Sequence, residues 1–167
     1  MVGECPGPGI APEKARPLFP LPESSSGGRL LRVIGWSMKD YLMRFDRVNL
    51  FPTHRTKWDD SEARERADAL THSVLEEERL TDFVVFGVRV TKAFRRDLFP
   101  ILQSLGFWGG TLTSVPHPSG LNPWYNDLTN RASVRRLFSG FRLTCVGTPI
   151  GEDTPEFIRE GTNKERS

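Results

Sequence analysis

Asp82-Phe83-Val84-Val85-Phe86-Gly87 decides the fold. Four apolar residues in unbroken succession, closed by a glycine, suit a strand buried on both faces. Such a strand belongs in a sheet covered by helices on either side, and residues 88–94 read as a helix springing from its end. Outward from this centre, three more segments read as strands. Residues 1–4 look like the tail of a strand that begins earlier. Residues 47–51 are partly β-branched and stopped by Pro52. Residues 110–115 lead directly into Pro116-His117-Pro118-Ser119-Gly120.

The segments between them read as helices. Ser24-Ser25-Ser26 offers an N-cap for a helix carrying Leu30, Leu31 and Ile34, which Gly35 stops. Ser37 caps a second, over residues 38–45, with Asp40 near its positive end. Residues 60 to about 80 form the longest helix, capped by Asp59, Asp60 or Ser61. Another is expected over residues 98–105, and a last basic one is capped by Ser133, runs to about residue 138 and is open to extension toward Arg142. The expected architecture is α/β: a mainly parallel, four-stranded sheet with helices on both faces. Ligands of such sheets bind outside the carboxyl ends of the strands. The three unusual loops, beginning at Glu4, Asn49 and His117, all leave strand ends.

Composition narrows the functional classes. A chain of 167 residues suits one domain, expected over residues 1–150, with 151–167 a polar, mobile tail. Its net charge of +2 says little about partners, since clustering of charge matters more than the total. No apolar run approaches the roughly 20 residues that span a bilayer. The N-terminus lacks a secretory pattern, so the expected location is intracellular: cytoplasmic or nucleoid-associated, or nuclear in a eukaryote. Two cysteines, Cys5 and Cys145, cannot build a four-cysteine metal or iron–sulfur site and are expected to be buried free thiols.

The loops, in their order, resemble the signature of the uracil-DNA glycosylase superfamily. Val2-Gly3-Glu4-Cys5-Pro6-Gly7 is similar to the first motif of its thermostable iron–sulfur class. Arg16-Pro17-Leu18-Phe19, ahead of Ser26-Gly27-Gly28-Arg29-Leu30, resembles that class's loop with a stacking aromatic. Val48-Asn49 before Pro52 resembles its asparagine-bearing strand end. Residues 83–87 match its central strand and glycine, and His117-Pro118-Ser119 resembles its closing motif. The similarity spans roughly residues 2–140. The cluster cysteines of that class are missing, and so is the acidic residue expected a few places after its first motif, where Pro8-Gly9-Ile10-Ala11 stands instead. Cys5 also occupies the position of the aspartate in the best-known class.

The resemblance implies a three-layer α/β/α domain that hydrolyses the N-glycosidic bond of uracil, or a related modified pyrimidine, in DNA after flipping the base. It implies a monomer acting in base-excision repair, with no metal, cofactor or membrane. Under it, His117 donates to the uracil O2 as negative charge builds there, and Glu4 positions a water or hydrogen-bonds the substrate. Asn49 reads the N3–H and O4 edge, and Phe19 stacks on the base. Leu121 is the wedge that fills the vacated space. Ser119, Gly120, Arg131 and Arg135 contact DNA, with Ser37, Arg136 and Arg142 as further phosphate contacts.

Structural alternatives stand beside each role. His117 also suits a proline-stiffened turn, Asn49 a strand-end turn, Phe19 a loop anchor, and Glu4 a carboxylate satisfying loop amides. The arginine run also suits a solvated helix face. Cys5, Trp124 and Tyr125 read as packing residues, and His54 and His72 as structural. Two other functions remain open. One is a non-catalytic DNA- or nucleotide-binding member of the superfamily. The other is an interaction protein, which exposed Trp58, Trp108 and Trp124 would favour.

Overall fold

The computed structural model describes residues 1–76, 82–94, 101–107 and 110–141. Central strand β3 (Phe83–Phe86) is buried along its length and serves two cores at once. Successive strand side chains point to opposite faces. Val84 and Phe86 therefore enter one cluster and Phe83 and Val85 the other. On its two sides β3 pairs in parallel with β1 (Val2–Gly3) and with β5 (Gly110–Val115), whose register sets Phe83 beside Leu112 and Phe86 beside Val115. β1 pairs in parallel with β2 (Val48–Asn49), matching Gly3 to Asn49.

Sequence reasoning anticipates four strands; the described residues form five. β4 (Ser104–Phe107) lies antiparallel to β5 at the sheet edge, giving a mixed sheet in the order β2-β1-β3-β5-β4. The expected helix over residues 98–105 is therefore wrong at its end, and residues 95–100 lie outside the described ones. Leu98, Ile101, Leu102 and Leu105 mimic a helical face. The edge strand has only Leu105 and Phe107 half-buried against exposed Ser104 and Gly106.

Helices cover both faces. α1 (Ser26–Ile34), α2 (Met38–Arg44) and α5 (Leu128–Phe141) supply Leu30, Ile34, Tyr41, Val134 and Phe138 to the core over Val84, Phe86 and Val115. α3 (Asp60–Glu76) and α4 (Val88–Phe94) supply Ala63, Ala67, Val90 and Phe94 to the opposite core. Ser25 Oγ accepts from Gly28 N at 3.0 Å, and Gly35 ends α1 in the left-handed conformation at φ 70°. Ser37 caps α2 through Asp40 N, and Asp59 caps α3 through Ser61 N and Glu62 N.

The start of α5 differs from expectation. Asp127 is its cap, accepting from Thr129 N at 2.7 Å and Asn130 N at 3.1 Å. Ser133 lies within the helix and donates to the Thr129 carbonyl. Cys5 is half-buried against the α3–α4 core rather than fully enclosed. Trp58 is half-buried edge-on to Phe51 and Trp124 edge-on to Tyr125, so neither forms an open aromatic patch. Trp108, Arg142, Cys145 and the expected tail over residues 151–167 lie outside the described residues. No helix among the described residues is long and apolar enough to cross a membrane.

Candidate functional site

The order β2-β1-β3-β5 lines up four carboxyl ends at one sheet edge. Asn49 ends β2, Glu4 follows β1, Gly87 follows β3, and His117 lies just past β5. Neighbouring strands are about 4.8 Å apart, so three intervals, about 14 Å, separate the backbones of β2 and β5.

Asn49 lies over Gly3, its register partner. A Cβ on Gly3 would sit 3.0 Å from Asn49 Oδ1 and 3.7 Å from Leu18 Cγ. The missing side chain therefore leaves room for the amide and brings the Leu18–Phe19 loop alongside. Tyr41 donates its hydroxyl hydrogen to the Leu18 carbonyl at 2.8 Å, and Ser25 Oγ donates to the Phe19 carbonyl at 3.0 Å. A Cβ on Gly27 would overlap both carbonyls, so α1 can approach this loop only with glycine there. The half-buried Phe19 ring faces the Arg16 guanidinium, 5.2 Å from its centroid.

Glu4 is half-buried, with Oε1 3.3 Å from an Nη1 of Arg89 on α4. Its charge also reaches His117. Burial holds the imidazole below its ordinary pKa, and the Glu4 carboxylate works against that by favouring the cation. Burial prevails, so His117 is neutral at pH 7.

The loop around His117 is fastened at several points. Gly87, at φ 92°, brings the β3 end close: a Cβ there would lie 3.4 Å from His117 Cβ. Asn122 Nδ2 donates to the His117 carbonyl at 2.9 Å, while Asn122 Oδ1 accepts from Trp124 N at 3.1 Å. Tyr125 donates to the Pro116 carbonyl at 2.7 Å. A small cavity of about 300 Å³ opens beside His117, with Val88, Ile101 and Trp124 among its walls.

A larger cavity, about 700 Å³, lies between α1, α5 and the loop after His117. Ser119, Gly120, Arg131 and Arg135 all line it, together with Arg29 and Arg32 of α1. Leu121, next to Gly120, is 95% exposed. Neither cavity is lined by Glu4, Phe19 or Asn49. The expected residues thus fall in three places: Asn49 with Gly3 and the Phe19 loop, Glu4 within electrostatic reach of His117, and Ser119, Gly120, Arg131 and Arg135 in the arginine cavity, whose lining does not include Leu121, Ser37 or Arg136.

Sequence reasoning missed Asn122, Arg89, Arg29 and Arg32. Arg29 and Arg32 stand three residues apart on one side of α1, whose first turn holds Gly27 and Gly28, but that spacing alone does not signal their meeting with Arg131 and Arg135. His54 is occupied elsewhere, its Nδ1 3.2 Å from the Pro6 carbonyl. No protein-family model matches this chain, and no curated protein matches it.

Proposed function

We propose that this chain is a DNA glycosylase of the uracil-DNA glycosylase type, removing uracil or a related modified pyrimidine in base-excision repair. The reading includes the finer fold assignment, a three-layer α/β/α domain of that superfamily. The observation that carries it is the strand order, which brings Asn49, Glu4 and His117 to one edge of the sheet, at the carboxyl ends of β2, β1 and β5, with the β3 end between the last two.

Cleaving the bond between base and deoxyribose leaves cation-like character on the sugar and negative charge on the departing base. Water supplies hydroxide to C1′ and a proton to the base, so the products are an abasic site and free uracil. A neutral imidazole can donate a hydrogen bond to O2 as that charge grows, and burial keeps His117 neutral. Asn49 offers both a donor and an acceptor to the opposite ring edge. Phe19 supplies a stacking face, Glu4 a carboxylate for water, and Leu121 an exposed aliphatic tip beside the basic cavity.

The test is excision from uracil-containing single- and double-stranded oligonucleotides, read as abasic sites. Loss of one donor of this kind costs about 2.7–4 kcal/mol, so His117→Ala should slow excision by two to three orders of magnitude. Wild-type protein that leaves every uracil and modified-pyrimidine substrate intact would overturn the assignment.

A second reading, a non-catalytic DNA- or nucleotide-binding member, is favoured by one feature. Glu4 is tied to Arg89, and Gly7, Pro8, Gly9 and Ile10 are exposed without a carboxylate among them. Binding of uracil or abasic DNA without cleavage would select it.

A further inference from the structure

Three of the arginines around the large cavity share one arrangement. Arg29 Nε donates to the Ser24 carbonyl at 2.9 Å, Arg131 Nε to the Tyr125 carbonyl, and Arg135 Nε to the Val33 carbonyl at 3.1 Å. Each guanidinium is thereby anchored through its inner nitrogen. Among the described residues, no carboxylate pairs with any of the three, and none of their Nη groups carries a hydrogen bond. The forks that remain match the geometry of phosphate oxygens.

Arg32 is the exception. Its Nη2 is 3.0 Å from Glu23 Oε2, but the two side chains are 65% and 82% exposed, so the pair is weak and easily exchanged. Glu23 is the one carboxylate among the cavity's lining residues, against four arginines. The volume, about 700 Å³, exceeds what a lone phosphate needs and lies within the range of sites for larger ligands. One wall is shared with the candidate site. The Arg29 guanidinium lies so close over Gly120 that a Cβ there would overlap it, joining α1 to the loop that carries His117.

We propose that this cavity binds consecutive phosphodiesters of a DNA strand whether or not a target base is present, with Glu23 as a competitor that the strand displaces from Arg32. The proposal deepens the glycosylase reading and rests on it for the identity of the partner as DNA. Its test uses a strand with nothing to excise.

The probe is a fluorescent all-thymine oligonucleotide without terminal phosphates, titrated by anisotropy over a range of salt concentrations. Arg32→Ala and Arg135→Ala should each weaken binding and reduce the slope of log affinity against log salt by about 0.7, the value for one single-strand phosphate contact. Lysine at either position should restore the slope. Glu23→Gln should tighten binding about two- to fivefold. Arg64→Ala, an exposed change on α3 across the sheet, should alter neither quantity. Arg32 and Arg135 are both exposed, so unchanged circular dichroism and melting should accompany their substitution.

An Arg32→Ala/Arg135→Ala double variant with wild-type affinity and slope would overturn the proposal. So would an equal loss in Arg64→Ala, a requirement for a terminal phosphate, or equally tight binding of a polyglutamate peptide. Excision is scored separately on uracil DNA. Cavity-dependent strand binding without excision would sink the glycosylase reading alone; excision without cavity-dependent binding would sink this one alone.

Discussion

At His117 two influences oppose each other, and each can be removed separately. Glu4→Gln deletes the carboxylate that favours the cation, so the His117 pKa should fall further below 6.5. Proton NMR titration of the imidazole reads this directly; an unchanged midpoint would show that the carboxylate is screened. Stability follows the same group. An imidazole whose folded pKa lies below its unfolded value binds a proton less readily in the native state. It costs nothing well above pH 6.5, and destabilises progressively as the pH falls through that value toward the folded pKa. His117→Gln should therefore lose less stability than wild type between pH 7.5 and 5, measured by urea unfolding at each pH. Asn49 depends on its neighbour in another way. At 3.0 Å, a methyl on Gly3 crowds the amide oxygen, so Gly3→Ala should impair any recognition at Asn49 more than it impairs folding.

Among the elements, α1 and α5 invite contrasting glycine substitutions. Gly27→Ala drives a methyl into two backbone carbonyls that have no freedom to yield, and should destabilise by at least about 1–3 kcal/mol in chemical denaturation. Gly140→Ala meets nothing within 4 Å inside a helix and should stabilise by about 0.5–1 kcal/mol. Asp127→Ala should cost about 1 kcal/mol, whereas Ser133→Ala should cost much less. These elements also show what the sequence made readable. The 83–86 run, the glycine after it, the Ser25 and Ser37 caps and the strand before His117 all carry their signal within a few residues, and the structure matches them. β4 escaped because an edge strand buries only alternate residues, and four residues are too few to outweigh a helical spacing. The α5 cap escaped because Asn126-Asp127 looks like any polar loop. Asn49, Glu4 and His117 could be nominated because parallel strands all end on the same side. Arg29 and Arg32 could not, since their meeting with Arg131 and Arg135 depends on how α1 and α5 pack, which no local pattern encodes.

For the whole molecule, the decisive feature is a single strand shared by two cores. Phe86→Ala should cost about 3–5 kcal/mol, although Phe86 touches only the α1–α2–α5 side. Since Phe83 and Val85 hold the other side through the same backbone, both cores should be lost together. Variants retaining only Trp36 or only Trp58 report on one core each and should show the same denaturant midpoint. Leu121 has the opposite relation to the molecule. It stands in water on a turn whose flanks are clamped by Asn122 and Tyr125, and folding gives it nothing to cover. Any surface that closes over this isobutyl group recovers roughly 2 kcal/mol, a gain that weakens in the cold. Calorimetry should accordingly register a negative heat-capacity change on complex formation, diminished in Leu121→Ser, so the bare tip acts as a reserve of driving force held until a partner arrives.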